Sequence, residues 1–229
     1  MAIKETLTEE VEKILSTKWD VRDGTVIPTS DSVGLGSGAV KIKATFLYAD
    51  LAGSSALAAN CPWETTAKII RAYLNICTRL IKAHGGEIRS FDGDRVMGIF
   101  IGDAPNTNAI KCARKIDWIV HNVLNEKAKR FASIKNNNIL ITHCVGIDTS
   151  DAVAVRAGIR NNNDLIWIGR APSFAAKLSD IRSYPYTVYV SSDSFKVASN
   201  QDKTIWKTEN FTYANKNYTV YKTLTPLQP

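Results

Sequence analysis

Phe46-Leu47-Tyr48-Ala49-Asp50-Leu51-Ala52-Gly53-Ser54-Ser55 is an apolar run that stops at an acid and then turns over small residues. Ile42 to Ala49 is β-prone enough for a buried strand, and a carboxylate at its end is poorly placed for a core. It is well placed to hold Mg²⁺ or Mn²⁺ against a polyphosphate, because hard cations take carboxylate oxygens plus substrate phosphates. Ala52, Gly53, Ser54 and Ser55 offer backbone N–H groups to phosphate oxygens as the chain enters a helix. A second acid has a similar setting. In Ile88-Arg89-Ser90-Phe91-Asp92-Gly93-Asp94-Arg95-Val96, Asp92-Gly93 reads as a hairpin turn between apolar runs, with Asp94 just past its tip. Taken singly, Asp50 is a helix N-cap and Asp94 a turn residue. Taken together, they point to metal-dependent chemistry on a nucleoside triphosphate.

Working outward, Pro62 sits near a helix start, and Ile70, Tyr73 or Leu74, Cys77 and Leu80 or Ile81 recur at helical spacing until Gly85-Gly86. Ala109, Ala113, Ile116, Val120 and Val123 stripe a second long helix, closed by Asn136-Asn137-Asn138. Ile139 to Ile147 and Ala152 to Ile159 read as a strand pair, and Leu165 to Ile168 as a short strand. A helix over Pro172 to Ile181, a strand over Thr187 to Ser191, a helical turn over Ser192 to Ala198 and a last strand over Tyr218 to Tyr221 follow. The order β-α-β-β-α-β with additions predicts an α+β, ferredoxin-like core. Before it, Thr8 to Leu15 suits an amphipathic helix and Pro28 to Gly38 reads as a Ser/Gly-rich linker. Residues 1–40 are therefore expected to form an N-terminal arm with its linker and 41–229 the core domain.

A chain of 229 residues with 45% hydrophobic and 22% charged residues can bury one substantial core. Its net charge of +7 is spread along the chain without a Lys/Arg block. That pattern describes a solvated surface attractive to anionic nucleotides, and no direct nucleic-acid partner is expected. Neither a signal-peptide apolar region nor a run of about 18 apolar residues occurs, so no membrane partner is expected either. Cys61, Cys77, Cys112 and Cys144 form no C-x-x-C pair and read as buried free thiols, fitting a reducing cytoplasm.

From residue 41 to 223 the ordered segments resemble the catalytic domain of the class III nucleotidyl cyclases, the family of adenylate and guanylate cyclases. The two aspartate segments carry the likeness, with Cys144-Val145-Gly146-Ile147-Asp148 and Trp167-Ile168-Gly169 through Ala175-Ala176-Lys177-Leu178. The resemblance implies an antiparallel-rich sheet with flanking helices and two active sites at a homodimer interface. It implies two Mg²⁺ or Mn²⁺ ions per site on Asp50, Asp94 and the Leu51 carbonyl, and attack of the ribose 3′ hydroxyl on the α-phosphorus. The chain departs from the family at the base-reading positions, which hold Ser90 and Ile166, with Asp164 nearby. It departs also at Tyr48 and Arg95, and on the last helix, where Ser173 and Lys177 replace an Asn/Arg pair. Arg170 or Lys216 is a candidate supplementary cation.

This combination resembles the bacterial pyrimidine cyclases of the Pycsar antiphage systems, whose cyclic nucleotide is read by a separate effector. That likeness implies that Tyr48, Arg95 and Ser90 read the base, with UTP the expected substrate and CTP second. On physical grounds alone, Tyr48 packed in the core, Arg95 paired with Asp92 and Lys177 in solvent are equally open. An adenylate cyclase with unusual base contacts and a non-catalytic nucleotide-binding module are the alternative functions. A diguanylate cyclase reading from Gly85-Gly86-Glu87 is disfavoured, because the acid comes seven residues after Glu87.

Overall fold

A computed structural model describes residues 3–199 and 201–229. The chain divides into two compact units. The first comprises residues 3–43 and 151–169, and the second Ala44–Ser150 with Arg170–Pro229. In the first, α1 (Ile3–Ser16) buries no side chain, and β1 (Asp20–Asp23) runs parallel to the start of β2 (Gly38–Ala52). The segment expected as a linker is stitched into this unit. Ser30 donates to Asp164 at 3.1 Å, and Arg22 donates to the Ser32 carbonyl at 3.1 Å.

The second unit builds a sheet in the order β3-β4-β2-β5-β7-β9-β8. Its strands are β3 (Glu87–Asp92), β4 (Arg95–Phe100), β5 (Thr142–Ile159), β7 (Val188–Ser191), β8 (Lys207–Tyr213) and β9 (Lys216–Thr223), with β2 as above. Alternation along β2 sends Leu47, Ala49 and Leu51 to one face. There they pack with Tyr73, Cys77 and Ile81 of α3 (Trp63–Ala83) and Ala109, Ala113 and Ile116 of α4 (Pro105–Ile119). Beyond α4 the helix runs on through a π-helical turn, Val120–Leu124, and α5 (Asn125–Ala128), so the striped helix is present with a π-bulge in it, and α6 (Ala132–Asn136) follows after a short turn. Buried Asn125 ends the π turn: its amide donates to the Val120 and Ile141 carbonyls and its oxygen accepts from Ile141 N.

On the opposite face lies α7 (Arg170–Ser179), whose Phe174 and Leu178 cluster with Cys144, Tyr189 and Val220. Gly146 on β5 sets how close α7 comes. A Cβ there would stand 2.1 Å from the Ala175 carbonyl oxygen and 2.6 Å from Ser179 N, so only glycine fits.

Several sequence expectations are corrected. Ile139 to Ile147 and Ala152 to Ile159 are not a pair: β5 is continuous, and its second half pairs with β6 (Asn162–Gly169). The hairpin turn is Gly93-Asp94, flanked by the pair Asp92↔Arg95, so Asp94 lies in the tip rather than past it. Strands β1 and β8 were not expected. All four cysteines are free and buried, as expected. Among the described residues no helix is long and apolar enough to cross a membrane.

Candidate active site

Strand register assembles the expected residues. Antiparallel pairing aligns Tyr48 with Met97 and Asp50 with Arg95, while β3 brings Ser90 to Met97 and Asp92 to Arg95. Two rows therefore cross three strands, Tyr48–Met97–Ser90 and Asp50–Arg95–Asp92. Residues two apart on a strand share a face, so Tyr48, Asp50, Ser90 and Arg95 share the face away from α3 and α4.

Asp50 is buried, with 6% of its side chain exposed, and both carboxylate oxygens are engaged. Arg95 Nε donates to Oδ1 at 3.4 Å, and Arg182 Nη2 donates to Oδ2. Arg95 also donates to Asp180 Oδ1 at 2.6 Å, and Lys177 Nζ stands 3.5 Å from Asp180 Oδ2. The alternative pairing of Arg95 with Asp92 is thus replaced by contacts to Asp50 and Asp180. Burial holds the Asp50 carboxyl above the ordinary aspartate range against the pull of Arg182 and Arg95, and the nearby Asp94 carboxylate pushes the same way. Burial also raises the Tyr48 phenol, which stays a neutral donor.

These donors suit a hard divalent cation. A desolvated carboxylate beside a second one gains from a cation. Among the described residues no cluster of three or more His, Cys, Asp or Glu side chains assembles. Two carboxylates and a backbone carbonyl would leave the remaining coordination to substrate oxygens and water, as Mg²⁺-type ions prefer.

Gly53 adopts φ 72°, a left-handed conformation that favours glycine, and leads into α2 (Ser54–Asn60). No side chain caps this N-terminus, so its first N–H groups are left for another acceptor. Ala52, Gly53 and Asn60 border a cleft of about 170 Å³ closed by Ile139 to Thr142. Ala52 and Thr142 also border a smaller pocket of about 60 Å³, lined by His143, Arg182 and Tyr184.

No family model matches the chain. Over 97% of its length it is 39% identical to a uridylate cyclase of Rhodovulum sp. (strain MB263), covering 96% of that protein. It is 36% identical to a uridylate cyclase of Xanthomonas perforans at the same coverage, 97% and 96%. The chain belongs to the uridylate cyclase family. Its fold is that of the class III nucleotidyl cyclases: the guanylyl cyclase Cya2 superposes with a TM-score of 0.68 over 82% of this chain and 95% of that one, at 15% identity.

In this cyclase framework Ser173 and Lys177, four residues apart, both lie on the exposed side of α7. Arg170 is not a free cation: it makes two bonds to buried Asp148, at 3.0 and 3.1 Å, and a third to Asp193 at 2.6 Å. Lys216 starts β9 opposite Tyr213 in the β8–β9 hairpin. Ile166 is exposed on β6, and Asp164 accepts from Ser30 and from Leu165 N. Sequence reasoning missed Asp180, which with Arg95 links Lys177 to Asp50, and Arg182, which bonds Asp50 directly. Their one sequence signal is the charge cluster Lys177, Asp180, Arg182 at the end of the helix.

Proposed function

We propose that the protein converts UTP to 3′,5′-cyclic UMP and pyrophosphate. Near-full-length identity of 39% and 36% to proteins named uridylate cyclases carries this reading. Asp50, Asp94 and the Leu51 carbonyl would hold two Mg²⁺ or Mn²⁺ ions, which when bound lower the pKa of the ribose 3′ hydroxyl and neutralise the departing phosphates. Backbone N–H groups of Ala52, Gly53, Ser54 and Ser55 bind the triphosphate. Tyr48 and Arg95, with Ser90 beside them, read the base. Uracil presents an O4 acceptor where cytosine presents an N4 donor, so a neutral phenol and a guanidinium favour UTP over CTP.

Lys177 neutralises charge on the phosphates and Ser173 orients the ribose. Their outward position on α7 supports action on a nucleotide held by a second copy, in a homodimer with two equivalent sites. The product would pass to a separate effector in antiphage defence. Four free thiols support a cytoplasmic setting.

The test incubates protein and Asp50→Ala with Mn²⁺ and equimolar ATP, GTP, CTP and UTP, reading products by mass spectrometry. Cyclic UMP from the unmutated protein alone is the expected result. Cyclic AMP or cyclic CMP overturns the base reading, and nucleotide bound without turnover moves the function to a binding module. Full activity from a demonstrably monomeric sample overturns the dimer.

A further inference from the structure

We propose that Arg182 is a latch on the metal site: in the nucleotide-free protein its guanidinium holds Asp50, and the substrate triphosphate draws it off, so that metal ion and nucleotide load together. This rests on Asp50 being a metal ligand. A cation approaching the free protein meets a carboxylate whose two oxygens are already committed, with two guanidinium charges beside them.

The two arginines are not equivalent. Arg95 is fixed in β4, reaches Asp50 at 3.4 Å and is tied more closely to Asp180 at 2.6 Å. Arg182 lies between α7 and β7, with 42% of its side chain exposed, and is the partner on Oδ2. Its other nitrogen, Nη1, is held by the Ser179 carbonyl at 2.7 Å and the Ile181 carbonyl at 3.2 Å, so the guanidinium is anchored and its Asp50-facing edge is the part that can be exchanged. It lines the small pocket that Ala52 borders, where the segment assigned to the triphosphate begins. A triphosphate carries more charge than one carboxylate, so it competes for the Nη2 edge of Arg182 and leaves Asp50 Oδ2 free. By linkage, the nucleotide then tightens metal binding and the metal tightens nucleotide binding.

Mn²⁺ binding to nucleotide-free full-length protein, read by electron paramagnetic resonance, tests the latch. Arg182→Gln should bind Mn²⁺ roughly tenfold to a hundredfold more tightly than the unmutated protein, the weight of one charge-assisted hydrogen bond. Lys177→Gln removes the same charge from the same cluster without touching Asp50 and should leave affinity nearly unchanged. Arg182→Lys keeps the charge but loses the fork, and should fall between the unmutated protein and Arg182→Gln. Asp50→Asn should abolish the signal in every background, and circular dichroism melts confirm that each variant folds. Asp50-dependent binding that Arg182→Gln leaves unchanged or weakens overturns the latch while sparing the metal site. Absence of Asp50-dependent binding in all proteins, with and without UTP, overturns the metal reading and the latch with it.

Discussion

Helix α7 has an arginine at each end, and each meets an aspartate on the sheet. At the first residue, Arg170 makes a two-pronged contact with Asp148 on β5 and also bonds Asp193 and the Thr149 carbonyl. Three residues past the last, Arg182 reaches Asp50 on β2 with one nitrogen. The first pair is closed: Asp148 is fully buried, and each partner is saturated by the other and its neighbours. The second is open, with Arg182 partly exposed and Asp50 shared with Arg95. One chemistry thus gives a structural clamp at one end of a helix and an exchangeable contact at the other, and the difference is how many bonds must break together.

The largest expected effect is on turnover. Asp50→Asn should lower cyclase activity by about a thousandfold or more, because metal stabilisation of the transition state is worth several kcal/mol. Its unfolding midpoint should stay level or rise, since burial disfavours the charge being removed. Asp148→Ala should do the reverse, costing about 1–3 kcal/mol by removing two charge-assisted bonds from Arg170, which keeps Asp193 and the Thr149 carbonyl. Replacing both partners, Asp148→Leu with Arg170→Met, should recover most of that loss in a denaturant titration. Gly146→Ala should cost about 1–3 kcal/mol, because the new methyl forces α7 outward, and should lower kcat by displacing Ser173 and Lys177.

The smallest effect concerns pH. Burial raises the Asp148 carboxyl despite Arg170, while Arg170 is itself raised by Asp148. Burial works against the charge on both groups; at Asp148 it outweighs Arg170, whereas at Arg170 the two carboxylates Asp148 and Asp193 together outweigh it. With a folded value above the unfolded one, the folded state binds the proton more tightly. Stability should therefore fall as pH rises from about 4 through the raised folded value, then level off. Urea midpoints of Asp148→Asn should show a shallower slope, the remainder coming from Asp50, whose carboxyl is raised in the same sense.

The same contrast explains what the sequence made legible. Asp50 and Asp94 stood out because their signals are local: an apolar strand, an acid, a tight turn. Arg182 did not, because its partner lies 132 residues away and nothing nearby marks the pairing. Asp148-Thr149-Ser150-Asp151 lies between the two strand segments that the sequence suggests and is itself strand. Asp148 is neutralised by Arg170, and the Thr149 hydroxyl meets Thr45 at 2.8 Å and Ser194 at 2.9 Å, so polar residues stay extended through distant partners. Strand β8 escaped notice for a related reason: its Phe211 and Tyr213 stand edge-on to Phe174, 5.6 and 5.1 Å between ring centres, a contact invisible along the chain.

The four buried thiols give the chain a built-in clock. Burial pushes the Cys77 thiol up to about 12 and raises those of Cys112 and Cys144 as well, so near neutral pH almost none of these sulfurs is ionised or within reach of a reagent. An alkylating agent can mark them only when the surrounding layers part. The pace at which Cys77 and Cys112 on the α3 and α4 face are labelled, set against Cys144 beneath α7, reports which side of the sheet opens first.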